Sequence, residues 1–123
     1  MGGEGIIETF FHMSTHIKLY HWQTKTYSRH MATNQLLLVL LPLIDTFVET
    51  YSGRYSRPNF GGSFKLDIQE LNDLSAKKLL AYYVDFLKNE VPKYLKSSDT
   101  DLLNIRDSIL GELNKTLYLF TLS

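Results

Sequence analysis

A chain of 123 residues, 44% of them hydrophobic, has the length and the apolar content of one domain with one core (residues 1–123). Thirteen basic and thirteen acidic side chains cancel, which removes any general electrostatic pull toward nucleic acid or an anionic membrane. The absence of cysteine excludes disulfides and thiolate metal sites.

The opening Met-Gly-Gly-Glu-Gly is not cationic and leads into no signal-like apolar stretch. A first helix is predicted from about Glu4 to Lys25, where Ile6, Phe10, Met13, Ile17 and Tyr20 recur at helical spacing. A second is predicted from about Ser28 to Ser52, with Leu37, Leu41, Ile44 and Val48 as its stripe and Gly53 as its stop. Its most apolar run, Leu36 to Ile44, contains Pro42 and is nine residues long, well short of the roughly 20 that span a bilayer. A soluble, cytoplasmic protein with no membrane partner is therefore expected. Pro42 should kink this helix without breaking it, because the apolar phase continues across it.

Arg54 to Leu66, with Arg57-Pro58-Asn59 and the turn pair Gly61-Gly62, reads as the one long loop. Asp67 to Asp73 could form a short separate helix. The third main helix is expected from about Ser75 to Leu95, with Leu79, Tyr82, Tyr83, Phe86 and Leu87 as its apolar face and Pro92 as a kink or stop. The fourth begins at the cap-rich Ser98-Asp99-Thr100-Asp101 and continues through Leu102, Ile105, Ile109, Leu113, Leu117 and Phe120. No segment alternates with period two. The expected fold is all-α, a four-helix bundle. Short, long and short connections are the pattern of a ferritin-like bundle with one crossover between helices 2 and 3.

All four histidines, His12, His16, His21 and His30, lie in the first quarter of the chain. His12 and His16 share a helical face but sit off the apolar stripe, so a solvated or interface position is expected for them. His21 lies close to that stripe, with Trp22 expected to pack beside it. On the second helix, counting from His30, Asn34 falls near 40°, Asp45 near 60° and Glu49 near 100°. That sector also holds the predicted apolar stripe, where an unpaired carboxylate would be costly to bury. Asp45 and Glu49 can ligate one divalent ion, and carboxylate with imidazole suits iron, manganese or zinc. His30 and Asp45 are separated by roughly 22 Å along one straight helix, so they cannot hold the same ion within one chain. An antiparallel pair of second helices about a two-fold axis would join them, giving two equivalent sites per dimer.

The segments His21-Trp22-Gln23, His30-x3-Asn34 and Asp45-x3-Glu49 resemble the motif of Dps-type mini-ferritins, in which His-Trp closes the first helix and His-x3-Asp and Asp-x3-Glu lie on the second. Asp99 to Phe120 resembles that family's fourth helix, and Ser63-Phe-Lys-Leu-Asp67-Ile68 the lead into its third. The resemblance implies an intersubunit ferroxidase site in which His21, His30 and position 34 come from one subunit and Asp45 and Glu49 from the other. Ferrous iron would be oxidised there, by hydrogen peroxide for preference, and the ferric product stored in a twelve-subunit shell. Position 34 is Asn where that family has Asp, which leaves a weaker ligand without charge. Two alternatives stay open: a catalytically inactive ferritin-like structural or interaction module, of viral or phage type, and a zinc-binding bundle with the same ligands.

Overall fold

The computed structural model describes residues 3–122. These form four α-helices: α1 (Glu4–Gln23), α2 (Tyr27–Arg54), α3 (Asp73–Asp85) and α4 (Thr100–Leu119). There is no strand among the described residues.

The stripe of α1 is the one its periodicity predicts: Ile6, Phe10, Met13, Ile17 and Tyr20 are all buried. Each such side chain contributes about 1.5–3 kcal/mol by leaving water. Phe10 meets Phe47 edge to face at 5.4 Å, tying α1 to α2. The core stripe of α2 differs from the expected one. Leu36, Leu37, Leu40, Phe47 and Tyr51 face inward, Ile44 and Val48 are half-buried, and Leu41 is exposed. Apolar side chains occur nearly all round this helix, so a wheel drawn on hydrophobicity alone has no sharp maximum and its face is set by tertiary packing. The helix is continuous through Pro42 and through Gly53, which does not stop it. By length and composition α2 could cross a membrane, with a mean hydropathy of 1.6 over its most apolar window, although 33% of that window is buried in the fold. The rest of its apolar surplus points outward.

Residues 55–72 form no helix, so the short helix expected at Asp67 to Asp73 is absent. This segment runs along α1 instead. The Asn59 amide donates to Glu4 Oε2, Phe64 packs on Phe11, the Asp67 and Gln69 amides donate to His12 and His16, and the Gln23 side chain donates to Glu70. Backbone groups that a helix would have satisfied are met here by side chains of α1. Gly61 and Gly62, at φ 68° and 107°, make the turn that only glycine takes without strain.

The segment carries the chain from the end of α2 to the opposite end of the bundle. There Asp73 accepts hydrogen bonds from Tyr20 (2.6 Å), Thr24 (3.2 Å) and Thr26 (3.0 Å). Asn72 and Ser75 form a capping box that starts α3 at Asp73, two residues earlier than its apolar pattern suggests. As a result α3 runs alongside α1 in the opposite sense. It gives way to a π-helical turn at Phe86–Glu90 and a 3-10 turn at Val91–Tyr94. Pro92 explains the change, because in π register its missing N–H would have served the Leu87 carbonyl. Arg106 of α4 donates to that carbonyl at 3.0 Å instead. Tyr82, expected on the apolar face, is exposed, while Tyr83 beside it is core.

Asp99 precedes α4 and ties its start to the end of α2 rather than capping its amides: its carboxylate accepts from the Lys96 amide, from Arg54 and from the Tyr55 hydroxyl. Helix α4 then returns to the α1–α2 turn, where Phe120 packs on Tyr20 and beneath the Arg29 guanidinium.

Candidate metal centre

His21 ends α1 and His30 begins α2, and the three-residue turn between the helices brings the two rings face to face. Their centroids are 3.9 Å apart and their planes 18° from parallel. Each ring holds the other's backbone: His21 Nδ1 lies 2.9 Å from the His30 carbonyl, and His30 Nδ1 lies 2.9 Å from the His21 carbonyl. Thr33 Oγ1, also 2.9 Å from His21 Nδ1, completes the clasp. A carbonyl only accepts, so both Nδ1 atoms carry a proton, and in the neutral form of each ring the lone pair is on Nε2. Fixing one ring nitrogen so that the other is free to ligate is the usual second sphere of a metal-bound histidine. His21 is buried, and its proton affinity is lowered first by that burial and then by the neighbouring charge of His30. The neutral, ligating form is thereby favoured.

Asp45 and Glu49 stand one turn apart on the outer face of α2 and both are exposed. The expected burial cost therefore does not arise, because the true core face lies round the helix from them. They still interact. The Glu49 carboxyl is pushed above its ordinary value, first by a hydrogen bond shared with Asp45 and then by the Asp45 charge. Two carboxylates that resist full ionisation together would be relieved by a cation. Asn34 is exposed one turn after His30.

Among the described residues no cluster of three or more His, Asp or Glu side chains comes together. The structure thus brings His21 to His30 and Asp45 to Glu49, and keeps the two pairs apart within one chain. Trp22, expected to pack beside His21, is 67% exposed and carries only the Lys18 ammonium over its ring at 5.0 Å.

His12 and His16 were expected at solvated or interface positions; His12 is half-buried and His16 is packed inside the chain. His16 is buried; its Nε2 accepts from the Gln69 amide at 3.1 Å, and its Nδ1 donates to the His12 carbonyl at 2.8 Å. His12 Nε2 accepts from the Asp67 amide at 3.4 Å. Their ligating lone pairs are occupied by the 55–72 segment, so these residues are structural. Thr33 is the member of the clasp that motif reasoning missed. The sequence around it carries no distinguishing signal, because the His21 ring it meets lies twelve residues earlier, across the turn.

No curated protein and no solved structure matches the chain. A family model does match, over residues 21–120, a stretch that begins at His21 and contains His30, Asn34, Asp45 and Glu49. The chain therefore belongs to DUF5856, a family of unknown function.

Proposed function

We propose that this protein is a ferritin-like bundle of mini-ferritin type that pairs through α2 and oxidises ferrous iron between two copies. The observation that carries the reading is where the exposed apolar residues of α2 fall. An antiparallel pair that sets His30 of one copy against Asp45 and Glu49 of the other must have its two-fold axis midway between them, at Leu38 and Val39. On the face that carries the candidate ligands, Leu38 is 69% exposed and Leu41 52%. An apolar strip centred on the axis is what a self-complementary interface requires. The polar residues Asn34, Gln35, Asp45, Thr46 and Glu49 interrupt the strip, which suits a partner copy and a cytoplasmic protein better than a bilayer.

In this reading the two imidazoles and Asn34 of one copy and the two carboxylates of the other surround the ferrous substrate. Each ferrous ion gives up one electron; two electrons cleave the O–O bond of hydrogen peroxide, which takes up two protons and leaves as two waters. The mixed nitrogen and oxygen donors suit both oxidation states of iron. The long 55–72 connection, which lies along α1, is read as the ferritin-type crossover, and a twelve-subunit shell would store the ferric product. Asn34 favours a second reading, a non-catalytic or zinc-binding bundle, because a neutral amide there holds oxidised iron less well than a carboxylate would.

The deciding measurement adds ferrous iron anaerobically to purified protein, then peroxide, and follows ferric absorbance. Wild-type protein should oxidise iron faster than buffer, and Asp45→Ala/Glu49→Ala should lose that excess. A monomer by sizing chromatography, or equal rates with and without protein, would remove the iron reading. Zinc co-purifying without iron turnover would establish the alternative.

A further inference from the structure

Along α1, α2 and the 55–72 segment lies an apolar groove of about 800 Å³, walled by Phe11, Leu41, Pro42, Ile44, Phe60 and Phe64. Asp45 is the one charged residue on its lining. A second hollow beside Trp22 shares Ser14 and Leu41 with it, so the apolar surface continues up the α1–α2 seam to the chain's single tryptophan. Among the described residues nothing fills the groove, and that tryptophan is 67% exposed.

We infer that the groove is the seat for Trp22 of a second copy. The inference rests on the antiparallel α2 pairing proposed above and adds an anchor to it. A two-fold axis perpendicular to the paired α2 helices leaves both copies of α1 on the same side of the pair. Each α1–α2 seam therefore faces its symmetry mate, running in the opposite direction. Trp22 follows His21, which is stacked on His30, so it stands at the level of His30 on α2. The operation that carries His30 to the level of Asp45 and Glu49 carries Trp22 there too, which is where the groove opens. Charge agrees with shape: Lys18, whose ammonium lies over the Trp22 ring, travels with it toward the carboxylates of Asp45 and Glu49. A large aromatic entering an apolar pocket beside a charged pair is the usual form of an interface anchor. Seated in this way, Trp22 would also close the apolar side of the shared site against bulk water.

As the only tryptophan, Trp22 reports on its own burial. The test follows its emission maximum and acrylamide quenching in the full-length protein over a dilution series, with sedimentation on the same samples. A dimer in which emission shifts to the blue and quenching falls several-fold relative to monomer supports the seat. Trp22→Ala, a change at an exposed position that should not disturb folding, is expected to weaken dimerisation about tenfold. Phe64→Glu in the groove should return Trp22 of the remaining dimer to full quenching. Dimer with Trp22 as accessible as in monomer overturns the seat, as does a Trp22→Ala dimer of unchanged affinity; both outcomes leave the iron reading standing. A seated Trp22 without iron oxidation supports the seat and removes the iron reading, and a monomer at every concentration removes both.

Discussion

The two histidine pairs, His12 with His16 on α1 and His21 with His30 across the α1–α2 turn, are chemically identical, yet they face opposite ways in use. His12 and His16, whose rings lie 6.1 Å apart, accept through Nε2 from the amides of Asp67 and Gln69. Their lone pairs hold an extended segment that would otherwise present unsatisfied N–H groups. His21 and His30 instead bind carbonyls through Nδ1 and keep Nε2 free. What distinguishes a structural histidine from a candidate ligand here is which nitrogen the backbone occupies. An i, i+4 spacing can chelate in principle, yet it is the second pair, nine residues apart across a turn, whose Nδ1 atoms the backbone holds.

The sharpest way to break this comparison is to remove one member of each pair. His30→Ala takes away a free Nε2 from the proposed intersubunit site and should slow protein-dependent iron oxidation by a hundredfold or more, with the dimer retained. If iron oxidation survives that change, the second pair is no ligand either. His16→Leu should leave iron oxidation near wild type but cost stability, about 1–3 kcal/mol, because the Gln69 amide and the His12 carbonyl lose a buried partner. The same variant should flatten the response to acid. Burial lowers the proton affinity of His16 and of His21 below the ordinary value of 6.5, so the unfolded chain takes up protons first. Stability is therefore full above pH 6.5 and falls as pH drops below it. Urea midpoints measured between pH 7.5 and 5 should decline in wild type and decline less in His16→Leu. An equal slope in both would show that His16 is not part of the acid response.

Much of the architecture was legible in the chain because two of its helices, α1 and α4, have one-sided stripes. Ile6 to Tyr20 and Leu102 to Phe120 each mark a single face, and both faces are buried as read, with Ile105 and Leu117 half-buried at the edge. On α2, where Leu38, Val39 and Leu41 are as apolar as Leu36, Leu37 and Leu40, hydrophobicity cannot tell core from outer face. The extended path of residues 67–72 was equally hidden. Its local composition is compatible with a helix, and what overrides it is a set of partners on α1 some fifty residues earlier, among them His12 and His16. The candidate residues themselves were named from helical spacing and from the mini-ferritin resemblance. That His21 and His30 of one chain meet at one end was expected as well; the clasp was not, since it depends on a turn whose carbonyls point at the rings, a backbone property with no side-chain signature. Thr33 shows the same limit: its hydroxyl donates to the Arg29 and His30 carbonyls at 2.8 and 3.1 Å, a role that a threonine at any helical position could play.

Thr33 also provides the smallest and finest probe of the contrast between the pairs. Thr33→Val keeps the shape of the side chain and removes the hydroxyl oxygen beside His21 Nδ1, while the His30 carbonyl remains 2.9 Å from that nitrogen. The tautomer should therefore persist, with Nδ1 protonated and Nε2 free. The expected loss is about 0.5–1.5 kcal/mol, the net worth of one hydrogen bond, with iron oxidation reduced a few-fold at most. Nitrogen chemical shifts of the His21 ring would show the tautomer directly. Should the proton move to Nε2 in this variant, the carbonyl clasp alone does not orient the imidazole, and Thr33 would have to be counted among the residues that position the ligand.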